Sequence, residues 1–239
     1  MNEYEILKSM IAHSRNIVFF TGAGISVPSG IPDFRSAEGL YNQKGTVYPP
    51  ETIISHSFYL THQKEFFEFY KSKMVYPDAL PNAAHKFIAD LQKEKNVTVV
   101  TQNIDGLHQE AGSKNVIELH GSVKRNYCEK CRTFYDDKFV YNCPGIPRCT
   151  KCNNVIKPDV VLYEESLDEN DIGNAIDAIM RADTLVVIGT SLVVYPAAGF
   201  VRYFKGSALI LINKSKTSYD NACDLVINED IIKVIEKIK

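Results

Sequence analysis

Seven short apolar runs, rich in β-branched residues, punctuate the chain at 16–20, 97–101, 116–119, 160–163, 184–188, 208–212 and 225–227. Within each run Val, Ile, Leu or Phe follow one another with little polar interruption. A strand with one wet face alternates polar and apolar positions. A strand covered on both faces does not, and parallel sheets layered between helices need such strands. Stretches with helical spacing surround the runs, at 3–14, 82–94, 169–180, 195–204 and 229–239. This order predicts an α/β fold built on a doubly wound, Rossmann-like parallel sheet.

Two stretches break the alternation. Residues 36–81 are rich in aromatics and carry a helical pattern at 63–73, and residues 124–155 hold five of the six cysteines. Both read as insertions that together make a smaller helical and metal-binding lobe. The large lobe is then 1–35, 82–123 and 156–239, and the small lobe is 36–81 and 124–155. A cleft between the lobes is expected at the carboxyl ends of the strands, where such sheets collect ligands.

Composition narrows the function classes. With 27 Lys+Arg against 29 Asp+Glu, the formal net charge is -2, so no electrostatic reason for binding nucleic acid arises. No apolar run is long enough to span a bilayer. Glu3, Glu5 and Lys8 interrupt the N-terminus where a signal peptide needs an apolar stretch. A cytoplasmic, monomeric protein without a membrane partner is expected.

In a cytoplasmic chain, clustered cysteines suggest a metal rather than disulfides. Cys128-x-x-Cys131 and Cys149-x-x-Cys152 are two knuckles that deliver two thiolates each, the ligand set of tetrahedral zinc. Four thiolates leave no open position, so the predicted Zn2+ is structural. Cys143 and Cys223 do not fit that spacing and read as partly buried or core thiols.

The first strand runs into Thr21-Gly22-Ala23-Gly24-Ile25-Ser26. Glycines there let a backbone approach a pyrophosphate, and they also serve any tight strand-to-helix turn. Val27 stands where a dehydrogenase fingerprint has its third glycine, which argues against hydride transfer. Pro28, Gly30 and Pro32 exclude a regular helix over the following residues. Phe34 either covers a nicotinamide ring or fills the core. Arg35 either pairs with a phosphate or holds the loop.

The second strand ends in Gln102-Asn103-Ile104-Asp105-Gly106, and the third in His120-Gly121. Polar residues at these ends suit ligand contacts, yet Asp105 equally suits a cap on the next helix. His120 is placed to accept a proton from a hydroxyl. His85 and His108 read as structural.

The motifs occur in one order: Gly-Ala-Gly-Ile-Ser with Ser-Gly-Ile-Pro-Asp-Phe-Arg, Thr-Gln-Asn-Ile-Asp-Gly-Leu-His, Leu-His-Gly, two C-x-x-C pairs, Gly-Thr-Ser-Leu and Ile-Asn. From about residue 9 to the C-terminus this order resembles the sirtuin family. The resemblance implies an NAD-dependent protein lysine deacetylase that consumes NAD and releases nicotinamide and O-acetyl-ADP-ribose. It implies an NAD pocket of Ala23, Phe34, Arg35, Gln102, Ile104, Asp105, Thr190, Ser191 and Asn213. Val27 would contribute backbone, and Lys214 and Ile231 would lie at the adenosine end. In the implied mechanism the acyl-lysine oxygen attacks the ribose as nicotinamide leaves. Asp105 and Ile104 hold the carboxamide, Asn103 orders a water and the ribose, and His120 is the general base on the ribose hydroxyls.

The same resemblance implies that Val160, Val161, Leu162 and Tyr163 pair with an acetyl-lysine substrate peptide, with Val193 on the groove's other side. Glu164 replaces a frequent glycine in that segment. Family members preferring acidic acyl groups carry Tyr and Arg three apart in the small lobe. Tyr70 and Lys73 stand there in this chain. Lysine offers charge without a bidentate clamp, so deacetylation is expected to exceed desuccinylation. Two other readings remain: an NAD-dependent protein ADP-ribosyltransferase using the same pocket, and a zinc-ribbon binding module without catalysis.

Overall fold

The computed structural model describes residues 2–36, 38–42 and 47–239. Six strands form one parallel sheet: β1 (Asn16–Thr21), β2 (Asn96–Thr101), β3 (Val116–Glu118), β7 (Thr184–Ile188), β8 (Ala208–Ile212) and β9 (Leu225–Ile227). Their order is β3-β2-β1-β7-β8-β9. Successive strands therefore run one way from β1 and the other way from β7, and the switch point lies between those two.

The continuous apolar runs reflect two cores. One face of the sheet presents Ile17, Phe19, Val97, Val99, Val186 and Ile210 to helices Glu3–His13, Ala83–Leu91 and Ile231–Ile238. Alternate residues Val18, Phe20, Val100, Leu185, Val187 and Leu211 point the other way. They meet helix Glu169–Arg181 and the 3-10 segment Ala197–Tyr203. Asp168 caps the first of these, accepting from the amides of Asn170 and Asp171 at 2.8 and 3.2 Å.

A second sheet is antiparallel and ordered β5-β4-β6, from β4 (Gly121–Cys128), β5 (Phe134–Tyr135) and β6 (Ile156–Val160). It shares a third core with helices Pro50–Ile53, His56–Thr61 and Gln63–Lys73, where Phe66, Phe67, Tyr59 and Tyr70 stack edge to face or in parallel. β4 leaves the large sheet directly after His120. Gly121 lies so close to the Asp159 carbonyl of β6 that no side chain fits there.

Two sequence expectations shift. The run at 160–163 joins the parallel sheet only in the sequence pattern. Its first residue ends β6, and Tyr163 instead bridges Ser55 in the helical part of the small lobe. The expected helix at 195–204 is the 3-10 segment Ala197–Tyr203, consistent with Pro196 and Gly199 weakening an α-helical ladder.

Candidate active site and metal centre

The carboxyl ends of β1, β2 and β3 converge on one cleft. Ala23, Phe34, Arg35, Gln102, Asn103, Ile104, Asp105 and His120 line it. Val160, Val161, Leu162 and Tyr163 line its opposite wall. At its centre is a closed set of hydrogen bonds. The Ser26 hydroxyl donates to Asp105 Oδ2 at 2.7 Å and accepts from Asn103 Nδ2 at 3.1 Å. The Asn103 amide donates to Thr101 Oγ1 at 3.0 Å, which fixes the turn out of β2.

Asp105 caps the turn and also faces the cleft. Its Oδ1 accepts from the Leu107 amide at 2.9 Å, as an Asx cap does, while the residue lines the cleft. Burial pushes its carboxyl above the usual carboxylate range, opposed by the Leu107 amide and the Ser26 hydroxyl.

His120 Nδ1 lies 2.8 Å from the Gln102 carbonyl. A carbonyl only accepts, so Nδ1 carries the proton and Nε2 carries the lone pair. Burial lowers the His120 pKa, partly opposed by the hydrogen bond to Gln102. A neutral ring with a fixed tautomer is the form a general base requires. His108 contrasts with it: its Nε2 bonds Thr21 Oγ1 at 3.1 Å and its ring packs on His85, away from the cleft.

The glycines after β1 serve the protein itself. A Cβ on Gly24 would stand 2.7 Å from the Gly189 Cα, so the β1 and β7 loops touch backbone to backbone at the switch point. Gln102 Nε2 reaches Thr190 Oγ1 at 3.2 Å across this junction.

Cys128, Cys131, Cys149 and Cys152 bring their sulfurs within 4.8 Å of one another, all as free thiols. The two knuckles are built alike. Arg132 donates its amide to the Cys128 carbonyl at 3.0 Å, and Asn153 to that of Cys149 at 2.9 Å. Both residues adopt left-handed backbone, with φ of 56° and 59°. The amides of Cys131 and Lys151 point at the sulfurs of Cys128 and Cys149 at 3.5 and 3.4 Å, a pattern that suits thiolates on a metal. The donor set fits one tetrahedral zinc. Cys143 lies outside this cluster.

A model of the Sir2 family matches residues 22–196, from the β1 loop through the cleft and both knuckles. The chain belongs to the Sir2 family. It is 60% identical over 235 residues to an NAD-dependent protein deacetylase of Clostridium perfringens, covering 97% of this chain and 96% of that protein. An NAD-dependent protein deacetylase of Staphylococcus aureus is 44% identical, with 99% and 98% covered. Among solved structures, a Sir2 complex with deacetylated p53 peptide and 3'-O-acetyl ADP ribose superposes with a TM-score of 0.89. That match is at 36% identity and covers 99% of this chain and 97% of that one. A Sir2–p53 peptide–NAD+ complex matches with a TM-score of 0.84 at 38% identity, covering 100% and 97%.

Other residues marked in this Sir2-family sequence lie beyond the cleft lining. Val27 begins a 3-10 turn directly after Ser26. Ser191 is exposed beside Thr190, and Asn213 Nδ2 bonds the Ser215 carbonyl at 2.7 Å. Lys214 pairs with Asp230 at 2.8 Å, the residue capping the last helix, and Ile231 is buried in that helix's first turn. Val193 is half-exposed, while its neighbours Val194 and Tyr195 line the cleft. Ser26 is the residue that sequence reasoning passed over. Its position directly after Gly-Ala-Gly-Ile was the available signal, but serine is equally common in turns.

Proposed function

We propose that this protein is an NAD-dependent protein lysine deacetylase whose general base is His120. The observation that carries the reading is the fixed tautomer of His120, with Nδ1 held by the Gln102 carbonyl, beside the Ser26–Asn103–Asp105 set. The lining suits a dinucleotide. Phe34 and Ile104 offer apolar surface, Asp105 a half-buried carboxylate and Arg35 an exposed guanidinium.

Bound NAD supplies an electrophilic ribose carbon and a nicotinamide leaving group. Asp105 and the backbone of Ile104 hold the carboxamide end. Asn103, fixed by Ser26, orients a ribose hydroxyl or a water. His120 Nε2 takes a proton from a ribose hydroxyl, and the walls exclude bulk water from the reacting end. Thr190, Ser191, Asn213, Lys214 and Ile231 hold the adenosine end, at the carboxyl ends of β7 and β8 and the start of the last helix. Zinc bound by the four thiolates fixes the small lobe without touching substrate. The peptide lies along Val160 to Tyr163, opposite Val193. A cytoplasmic monomer acting on acetylated proteins completes the proposal. Among the described residues no helix is long and apolar enough to cross a membrane.

Acyl choice follows from the small lobe. Tyr70 is buried in the aromatic cluster, its hydroxyl without a partner among the described residues, whereas Lys73 lines the cleft. A tyrosine–cation clamp for an acidic acyl group is therefore incomplete, and acetyl-lysine is the preferred substrate. The test incubates one peptide, in acetyl and succinyl forms, with NAD and follows peptide mass and nicotinamide together. Acetyl loss matched by nicotinamide release is expected. A mass gain on protein would indicate ADP-ribosyl transfer, absence of NAD consumption a binding module, and faster desuccinylation a wrong acyl ranking.

A further inference from the structure

We infer that Glu164 is a positioning residue for the acyl peptide, setting the angle of the cleft wall on which the peptide lies. The inference rests on the deacetylase reading and adds to it a residue and a mechanism. The wall is a turn. The Glu165 amide donates to the Leu162 carbonyl at 3.0 Å, and Glu164, its third residue, has φ of 75°. That position in a turn favours glycine, because a Cβ crowds the backbone when φ is positive. A glutamate there carries a conformational cost that glycine would not.

The side chain offsets that cost by tethering the turn. Its two carboxylate oxygens accept from the Ser57 amide at 2.9 Å and the Ser57 hydroxyl at 3.1 Å. Around this tether the wall is fastened to the small lobe at adjoining points. The Tyr163 amide donates to the Ile54 carbonyl at 3.0 Å, and the Tyr163 carbonyl accepts from the His56 amide at 2.9 Å. Glu165 meets His56 Nδ1 at 2.8 Å and Lys157 at 3.2 Å. The other end of the wall is tied to the strand end that bears the base: Val160 pairs with Gly121, and the Val161 amide bonds the His120 carbonyl at 3.0 Å.

Backbone hydrogen-bonding directions alternate along an extended segment, so the side of Tyr163 facing the small lobe is already used. On the other side Leu162 is also engaged, its amide with Glu165 Oε2 at 2.8 Å and its carbonyl with the Glu165 amide at 3.0 Å. Glu164 itself therefore offers the peptide the next backbone groups, and their orientation depends on how firmly the turn is held. Loss of the tether leaves the base and the cofactor contacts in place and loosens only the peptide platform.

The test compares Glu164→Gly, Glu164→Gln and Ser57→Ala with the parent enzyme, measuring steady-state kinetics for both substrates and thermal midpoints. Glu164→Gly accepts the backbone and removes the tether. Peptide KM should rise about tenfold while kcat and the NAD KM stay within about twofold. Glu164→Gln keeps an acceptor for the Ser57 amide and should recover most of the peptide KM. Ser57→Ala should fall between the two. The Glu164→Gly midpoint should equal or exceed the parent's, since the strained residue is gone. An active parent enzyme with unchanged peptide KM in Glu164→Gly overturns the inference alone. So does a fall in kcat matching the rise in KM. An inactive parent enzyme overturns the deacetylase reading, and this inference with it.

Discussion

The two walls of the cleft are held by different means. On the sheet side, Asn103 and Asp105 both bond the Ser26 hydroxyl, and His120 bonds the backbone of Gln102. Ser26, Asn103 and Asp105 follow the largely buried strands β1 and β2, and His120 follows the half-buried edge strand β3. On the other side, Val160 to Glu165 hang from the start of helix His56–Thr61. That helix belongs to a lobe with its own sheet and its own core. β4 ties the lobes together through two neighbouring cations. Lys124 meets Glu110 and Asp137 at 2.8 and 3.0 Å, and Arg125 meets Glu118 and Asp159 at 2.6 and 2.8 Å. The sheet side thus inherits its precision from the main core. The other wall depends on tethers, ion pairs and the zinc knuckles behind it. Damage to the first should alter chemistry, and damage to the second should alter peptide binding or small-lobe order.

The largest effect belongs to the sheet side. His120→Ala should lower deacetylation by at least about a hundredfold, the usual range for a lost general base. Peptide and NAD binding should persist, because the His120 side chain makes one hydrogen bond, to the Gln102 carbonyl, and its backbone bond to Val161 is kept. Turnover above a tenth of the parent's would remove His120 from that role.

On the other side, stripping zinc or making Cys149→Ser should abolish most activity by disordering the knuckles while the parallel sheet survives. Metal content by mass spectrometry, circular dichroism and turnover report this together. Full activity in a metal-free preparation would contradict a structural zinc. Nearly complete loss of helical signal would instead show that the lobes fold as one unit.

The sheet side has its own weakness, in acid. His85 and His108 pack ring to ring at 4.8 Å, and His85 Nε2 and His108 Nδ1 have no partner among the described residues. Burial lowers their pKa values to about 4 and about 3, with His85 adding to the effect on His108. Below the ordinary histidine value of about 6.5 the unfolded chain binds protons that the folded chain refuses. Stability therefore falls as pH drops from near 6.5 toward 3–4, and is unaffected by these groups above that window. At pH 5 the loss is about 2 kcal/mol for each histidine. Urea midpoints at pH 7, 6 and 5 measure it. Equal midpoints at pH 7 and pH 5 would mean that the pair is hydrated or already charged.

These differences also explain what the sequence made legible. The parallel strands announce themselves because both faces are dry, so Val, Ile and Leu run unbroken. β4 and β6 do not, because one face is wet. Lys124-Arg125 and Lys157-Pro158-Asp159 sit within them, and Arg125 and Asp159 are there to pair with each other. The zinc knuckles were readable from spacing because both ligands of each pair are local. The tether from Glu164 to Ser57 was not, since its partners meet only after folding. Gly22 and Gly24 suited either a phosphate approach or a tight turn, and in the structure both lie against the β7 loop, a contact between distant segments. Local chemistry and local spacing survive in a sequence, and closures between distant segments do not.

Ser26 gives the smallest and sharpest test of the contrast, because it is a closure of that kind on the sheet side. Its hydroxyl is both the acceptor for Asn103 and a donor to Asp105, in a site where it is itself buried. Ser26→Ala leaves the Asn103 amide without that partner and takes one hydrogen bond from the Asp105 carboxylate. An unsatisfied buried polar group costs about 1–3 kcal/mol, or roughly tenfold in the step that depends on it. The loss should fall on kcat and on the NAD KM, with the peptide KM unchanged, opposite to the signature of Glu164→Gly. Removing the hydroxyl should also raise the Asp105 pKa further, moving the acid limb of the rate profile upward. If Ser26→Ala instead raises the peptide KM alone, the two walls do not act separately. The hydrogen bond between the Tyr41 and Tyr163 hydroxyls at 2.8 Å, both of which line the cleft, would then be the first contact to examine as their link.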